Sequence, residues 1–454
     1  MTATTTRTTA GTVLGPSTKG LCLAGPTPID ELRARLAAER PRLDDDLFTW
    51  PLLTLDADAV AHNVATMARV AAARGVLHAP HAKTHMSPQL ARRQLAAGAW
   101  GLTVADGSQL RAVLAWELDD LRRVVVANEM LDARDLRRLC DELARRASAG
   151  RPVEVLVNVD SARGLEVLAG VLATLPGATE PDAPVPGVLV ELGASGGRAG
   201  ARSLQEAETL ARLAHAQRVR VRGVSGYEGS VTRGHEPGAL AAVRRFVADL
   251  RELAGRLVAG GVVSLSSPAA PDAAPGVVVS AGGSGYLDVV LDALPGPLVP
   301  PGHLTAVDVL AVVRAGAYLT HDDGLLARAD PWSRMPAAWD AAPPRAALRV
   351  HAQVLSTPEQ GLAILGAGRR HVPYDIDLPV PLGLAGWAVV KIDDQHTYLR
   401  QTETSTGAPG PVSLQPGQVV TLGLSHPCTA FDKWRTAVLV DPDGHAVDIV
   451  ETQL

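Results

Sequence analysis

From residue 75 to 322 the chain alternates short β-branched runs with longer stretches whose apolar residues recur every three or four positions. Eight short runs read as strands. They are GVLHAPHA near 75, WGLTVAD near 100, RRVVVANE near 123, VEVLVNVD near 153, GVLVELG near 187, VRGVSGYEG near 221, GVVVSAGG near 276 and VLAVVRAGAYL near 309. Between most of them lies a segment of helical period, such as PQLARRQLAAGA (88–99) or SLQEAETLARLAHAQR (203–218). Eight βα units in about 250 residues have the count and size of a TIM barrel. An open, doubly wound sheet is the competing arrangement.

After residue 330 the texture changes. PWSRMPAAWDAAPPRAA (331–347) reads as a Pro-rich linker. The alternating stretches LRVHAQVLS, LAILGAG, GWAVVKID, HTYLRQ, GQVVTLGLS, TAVLVDPDG and HAVDIVET then read as an antiparallel β domain of five to seven strands. PLLTLDADAV (51–60) is an extended run that either domain can claim. The expected division is a tail and N-terminal segment (1–47), the α/β barrel (48–330), the linker (331–347) and the β domain (348–454).

Composition narrows the classes. The chain has 454 residues, 46% hydrophobic and 20% charged, as an ordinary soluble globular protein has. A net charge of -5, with no basic cluster interleaved with aromatics, argues against a nucleic-acid partner. No apolar run is long enough to span a bilayer. The first twenty residues lack the apolar stretch of a secretory signal and are expected to be disordered. Three cysteines, Cys22, Cys140 and Cys428, make no disulfide framework, so a reducing cytoplasm is expected.

Lysine is scarce: Lys19, Lys83, Lys391 and Lys433 are the whole set, although Lys and Arg together number 43. One sits in HAPHAKTHMSP (78–88), just past the first predicted strand and flanked by His78, His81 and His85. Arginine cannot be deprotonated in a protein, whereas a lysine can lose its proton and attack a carbonyl. Active sites of TIM barrels lie on the loops at the C-terminal ends of the strands, where Lys83 falls. Neighbouring histidines and a desolvated barrel mouth are expected to lower its pKa, as a Schiff-base lysine requires.

The seventh and eighth strands end in SAGGSGYLD (280–288) and RAGAYLTHD (314–322). Glycines there let backbone N–H groups approach an anion, at the usual phosphate position of such barrels. Together with an electrophile-binding lysine, they suggest a phosphorylated aldehyde cofactor. GASGGRAG (193–200) presents Arg198 to the same mouth, and GYEG (226–229) presents Tyr227. In the β domain, GLSHPCTAFDKW (423–434) holds His426 and Cys428 two apart, on one side if the segment is a strand. A thiolate with an imidazole favours zinc, and two protein ligands leave coordination positions open. Asp394 and His396, in DDQHTYL, are further candidate ligands.

PHAKTH, GGRAG, GYEG, SAGGSGY, RAGAYLTHD and SHPC together resemble the fold-type III pyridoxal-phosphate enzymes, specifically the D-threonine aldolase, D-serine dehydratase and amino-acid deaminase group. The resemblance runs from about residue 48 to the C-terminus. It implies an alanine racemase-like barrel that carries pyridoxal 5'-phosphate on Lys83, a D-serine dehydratase-like β domain that carries the metal, and a head-to-tail homodimer. By the same resemblance Gly283, Ser284, Gly316 and Ala317 would hold the phosphate. Arg198 would sit beside the phenolic oxygen or the substrate carboxylate, Tyr227 at the ring, and Arg314 at the pyridine nitrogen.

His426 and Cys428 match the dehydratase's zinc pair, where aldolases of the family carry His-x-Asp. LTVADGSQL (102–110) departs from the pattern, with Gly-Ser-Gln where relatives carry an acidic residue, and the segments 266–275 and 295–304 are longer.

The resemblance thus implies a lyase for small D-β-hydroxy amino acids. One outcome is a 2-oxo acid and ammonia, as in a dehydratase; the other is glycine and an aldehyde, as in an aldolase. His-Pro-Cys leans toward the dehydratase. An amino-acid racemase needs a second acid/base and no metal, and a non-catalytic pyridoxal-phosphate carrier lacks the metal-bearing domain.

Overall fold

All eight predicted barrel strands are present in the computed structural model, which describes residues 12–180, 182–267, 275–402 and 413–453. They are Leu77–His78, Leu102–Val104, Arg123–Val126, Glu154–Val159, Gly187–Leu192, Val221–Gly226, Val277–Ala281 and Val309–Val313. Every ladder between them is parallel, in the spatial order first, eighth, seventh, and so on down to second. The first and second strands meet through a single parallel bridge, His81 to Thr103, which closes the ring. The TIM barrel is therefore borne out, and the open doubly wound sheet is not.

Side chains on a strand alternate faces, so each strand contributes every second residue to the interior. Ala79, Val125, Leu156, Leu189, Val278 and Val312 form one buried apolar tier. Below it, toward the N-terminal ends, lies a charged tier. Buried Glu154 takes Arg222 Nε at 2.9 Å and Arg123 Nε at 3.3 Å. Two residues above the apolar tier come His81, Asn158, Glu191, Ser280 and Arg314, and from the sixth strand Ser225. The upper tier is polar, and it faces the end where barrels do chemistry.

A Cβ on Gly223 would lie 1.9 Å from the carbonyl oxygen of Val278, and its φ is +152°, so the sixth strand needs glycine there. Ladder register shifts at this point, between Val188 and Leu189 of the fifth strand.

The helices start where the sequence provides caps. Ser87 caps Pro88–Ala96 by accepting from the Leu90 amide. Asp106 caps Gly107–Ala115 by accepting from Ser108 and Gln109. Gln109 returns the favour by accepting from the Ala105 amide at 2.8 Å. The Gly-Ser-Gln departure in LTVADGSQL thus has a local structural role.

The second unit is a mostly antiparallel sheet of nine strands. All seven predicted stretches supply strands: Leu348–Glu359, Leu362–Leu365, Trp387–Ile392, Thr397–Gln401, Val419–Gly423, Thr436–Val440 and Ala446–Glu451. Val380–Pro381 and Leu52–Asp56 complete it, the latter paired antiparallel with Leu348–Glu359 and parallel with Thr436–Val440.

The division of the chain differs from the expected one. The sheet unit takes in residues up to 62, 320–328 and 345 onward, and the barrel unit takes 63–319 and 329–344. Helix Ile29–Glu39 buries Ile29, Leu32 and Leu36 with Leu52, Val438 and Ile449, so the N-terminal segment is part of the sheet unit's core. The expected tail is described only from residue 12, and the rest of it lies outside the described residues, as do 268–274 of the long segment 266–275. The Pro-rich stretch is packed against the barrel unit: Arg334 pairs with Asp288 at 2.8 Å, and Trp339 receives Arg74 at 4.2 Å.

Candidate active site

At the mouth of the barrel the chain turns sharply after the first strand. Lys83 sits half-buried in a one-turn 3-10 helix, Ala82–Thr84. The flanking histidines anchor that turn. His78 Nε2 lies 3.0 Å from the Ala315 carbonyl oxygen, and its ring meets Tyr318 edge-on at 5.1 Å. His85 Nδ1 accepts from the Ser87 amide at 2.9 Å. Its Nε2 therefore carries the proton and donates to Gln94 Oε1 at 3.2 Å, and Gln94 Nε2 donates to Tyr318 Oη at 3.0 Å.

Burial depresses both His78 and His85 to about 4. Desolvation thus disfavours the charged form of both rings. His81 is held well below the usual histidine range, first by burial and then by the charges of Lys83, Arg314 and Arg198. Its Nδ1 is buried with no hydrogen-bond partner among the described residues.

Arg314, Glu228 and the SAGGSGY turn tie three strand ends together. Arg314 is buried; one terminal nitrogen donates to Ser280 Oγ and the other to the Gly226 carbonyl oxygen at 2.6 Å. Burial lowers its pKa, and the negative charges of Glu228 and Glu191 oppose that. The fully buried Glu228 carboxylate accepts from the Gly282 amide at 3.0 Å and from the Gly283 amide at 2.5 Å. The Gly283 amide expected for a phosphate is thus committed to Glu228.

Gly283 still matters as a close approach. A Cβ there would lie 2.7 Å from the Tyr227 ring and 3.1 Å from Glu228. A Cβ on Gly316 would lie 2.5 Å from the His81 carbonyl oxygen and 3.0 Å from Thr84 Oγ1, so the eighth-strand loop presses directly on the lysine turn. Ala317 opens the next short turn, Ala317–Leu319, and Ser284 follows Gly283 half-buried.

Arg198 is exposed at the rim with its guanidinium 4.9 Å from the Tyr227 ring centre, a cation–π contact. Its charge is felt at His81, Glu191 and Arg314. Burial raises the pKa of Glu191, while a 3.0 Å hydrogen bond from Asn158 Nδ2 acts the other way. Ser225 Oγ donates to Asn158 Oδ1 at 2.8 Å and extends the chain. Lys83, Arg198, Tyr227, Gly283, Arg314 and Gly316 therefore gather at one end of one barrel.

Sequence reasoning missed Glu228, Glu191, Asn158, Ser225 and Ser280. For Asn158, Glu191, Ser225 and Ser280 the signal was a polar residue where a β-branched run should have stayed apolar, as in VEVLVNVD and GVLVELG; Glu228, past the end of its strand, carried none.

The residues present fit pyridoxal 5'-phosphate on three counts. A half-buried amine stands at the mouth, the orphaned His81 nitrogen stands two residues before it, and glycines stand where a Cβ would fill the space. Two arginines supply positive charge for a phosphate or a carboxylate.

The candidate metal pair lies in the sheet unit. It is not on a strand, as expected; His426 is the residue before a short helix, Pro427–Phe431, with a left-handed backbone (φ 65°). The two side chains nonetheless meet, because His426 hydrogen-bonds Cys428. That bond and a 2.5 Å contact from His426 Nδ1 to Asp375 Oδ2 push the imidazole up to about 9. An imidazole beside a thiol is a donor set that fits zinc.

Asp394 and His396 do not join them. They are exposed at the turn between Trp387–Ile392 and Thr397–Gln401. Among the described residues one trio of potential ligands converges, Asp441, Asp443 and His445. Asp441 Oδ1 there accepts from the amides of residues 443 and 445, and its other oxygen pairs with Arg40, so the trio is accounted for as a capped turn.

The fold class is that of an alanine racemase-like barrel joined to a β domain, and solved structures of that fold include an alanine racemase-like protein. Residues 347–440 match the family model described as a putative serine dehydratase domain. Over 402 residues the chain is 26% identical to a D-threonine aldolase of an Arthrobacter species, covering 88% of this chain and 91% of that protein. It superposes on the D-threonine aldolase of Filomicrobium marinum with a TM-score of 0.68 at 23% identity, covering 89% and 95% of the two chains. For the D-threo-3-hydroxyaspartate dehydratase of Delftia sp. HT23 the TM-score is 0.64 at 23% identity, covering 89% and 97%. A cysteine variant of a D-threo-3-hydroxyaspartate dehydratase is known in a metal-free form. The resemblance read from PHAKTH and SHPC is borne out.

Proposed function

We propose that this protein is a lyase for small D-β-hydroxy amino acids, dependent on pyridoxal 5'-phosphate and a divalent metal, zinc in the first instance. The leading outcome is dehydration with deamination, giving a 2-oxo acid and ammonia. The observation that carries the reading is Lys83, half-buried just past the C-terminal end of the first barrel strand, with its charge felt at His81 of the polar tier.

When bound, the cofactor supplies an electrophilic aldehyde and a sink for electrons released at Cα, and the metal supplies Lewis acidity at the β-hydroxyl. Lys83 Nζ would hold the aldehyde covalently, and Lys83 or a neighbouring histidine would move the Cα proton. Arg198, exposed at the rim, is free to swing onto the substrate carboxylate while Tyr227 backs its guanidinium. Ser284, Gly316 and Ala317 remain as phosphate-holding positions once the Gly283 amide is assigned to Glu228. Arg314, fixed by Ser280 and Gly226, keeps a permanent positive charge in the upper tier.

His426 and Cys428 would hold the metal. The cysteine in this pair is what favours dehydration. D-Threonine aldolase relatives support the aldolase outcome, glycine and an aldehyde, as the second reading. A homodimer in a reducing cytoplasm completes the proposal, supported by the motif resemblance and by Cys22, Cys140 and Cys428 forming no disulfide among the described residues.

Two measurements test it. Borohydride reduction of protein loaded with the cofactor should leave a modified peptide at position 83; an unmodified peptide there refutes the reading. Incubation with D-serine and D-threonine should then release 2-oxo acid. Glycine plus aldehyde in its place selects the aldolase.

A further inference from the structure

Asp375 and Asp377 lie in one stretch, YDIDLP (374–379). Both reach the loop that carries the candidate metal ligands. Asp377 Oδ2 accepts from Ser425 Oγ at 2.9 Å and pairs with Arg328 at 2.6 Å. Asp375 Oδ2 lies 2.5 Å from His426 Nδ1, and its other oxygen accepts from Thr429 Oγ at 2.8 Å. One extended segment therefore grips the ligand loop on both sides of His426.

Only one imidazole nitrogen at a time can serve a metal, and the hydrogen bond made by the other fixes which one does. With Nδ1 turned to Asp375, Nε2 is the nitrogen left for an ion. Asp375 is not a third ligand, because Asp375, His426 and Cys428 do not bring three ligand atoms to one point; the trio that does so among the described residues lies elsewhere. The left-handed backbone of His426 sharpens the need for a clamp. A non-glycine residue there is held only when its surroundings over-determine it.

We propose that Asp375 is a positioning residue for metal binding, fixing the tautomer and ring orientation of His426 so that its Nε2 and the Cys428 sulfur serve one ion. The inference rests on the reading that His426 and Cys428 hold the metal. Removing such a carboxylate weakens metal affinity by about 10–100-fold.

The test is Zn2+ affinity of the full-length protein, measured by competition with a chromophoric chelator for wild type, D375A, D375N, D377A and H426A. Expected are a loss of about 10–100-fold for D375A, a smaller loss for D375N and a still smaller one for D377A. In zinc-loaded wild type, 15N NMR should show His426 with a protonated Nδ1 and a metal-bound Nε2, and D375A should lose that signature. Wild-type affinity in D375A overturns the proposal. If D375A does not fold, D375N decides, and wild-type affinity together with an unchanged tautomer in that isosteric variant overturns it equally. Wild-type affinity in H426A would instead bring down the underlying metal assignment, an outcome that the D375 variants cannot mimic.

Discussion

Acid should loosen the barrel through the two histidines that brace the lysine turn. His78 and His85 are buried and held at about 4, well below the value of 6.5 expected of a free imidazole. Above pH 6.5 neither the folded nor the unfolded chain protonates these rings, so their contribution to stability is constant. Between 6.5 and about 4 the unfolded chain takes up protons that the folded one refuses, and stability falls with pH. Below about 4 the loss levels off.

At 1.36 kcal/mol per unit, the ceiling is roughly 3 kcal/mol for each ring, enough to matter against a typical stability of about 5–15 kcal/mol. The structure says why the proton is refused. His85 Nδ1 already accepts from the Ser87 amide, so a proton there would set donor against donor at that amide, while Nε2 already donates into the Gln94–Tyr318 chain. The assay is denaturant unfolding at a series of pH values for wild type, H78Q and H85Q. Each variant should lose up to about 1.4 kcal/mol per pH unit of slope between 6.5 and 4. His351 and His371, also depressed to about 4 by burial, contribute slopes of the same sign that cancel in the comparison. Equal slopes in wild type and both variants would refute the reasoning.

Glu228→Ala should strip the Gly282 and Gly283 amides of their acceptor, costing roughly 2–6 kcal/mol at one to three per buried group. Thermal melts would show it, and Glu228→Gln, which keeps one acceptor oxygen, should recover part of the loss. Gly283→Ala should push the Tyr227 ring outward and weaken cofactor binding in a spectral titration, without abolishing the borohydride-trapped adduct at Lys83. Lys83→Ala should abolish the cofactor's lysine-linked absorbance band and turnover together. Removing the metal with a chelator should stop turnover while that band remains.

The periodic part of the sequence was the legible part. All eight barrel strands and all seven predicted stretches of the sheet unit are strands because apolar alternation is a local signal. PHAKTH and SAGGSGY were legible for the same reason, as they follow strands and must lie at the mouth. What escaped was set by contacts distant in sequence. Leu52–Asp56 pairs with a strand nearly three hundred residues later, so its domain could not be read from its own composition. Asp375 meets His426 across |i−j| = 51, and Glu228 meets Gly282 across |i−j| = 54. Neither carboxylate differs in its local pattern from a solvated one. The strand geometry assumed for His426 and Cys428 failed because Pro427 starts a helix there, as proline at a first helical position does.

The tiers of the barrel interior connect these observations. A step of two residues up each strand carries Leu156 to Asn158, Leu189 to Glu191, Val278 to Ser280 and Val312 to Arg314. Stability alone would favour continuing the apolar filling, since each buried polar group must be matched with a partner. Most of this tier is matched internally: Asn158 with Glu191 and Ser225, and Arg314 with Ser280. The His81 nitrogen is not, and it is the member two residues from Lys83. Five of the six strands of the apolar tier change from apolar to polar within a single two-residue step, Ala79 to His81 being the fifth and Val125 to Ala127 the exception, all at the same height and all at the end bearing the lysine. Fold stability gives no reason for that coincidence. A site that must hold a charged ligand against a dry apolar floor does.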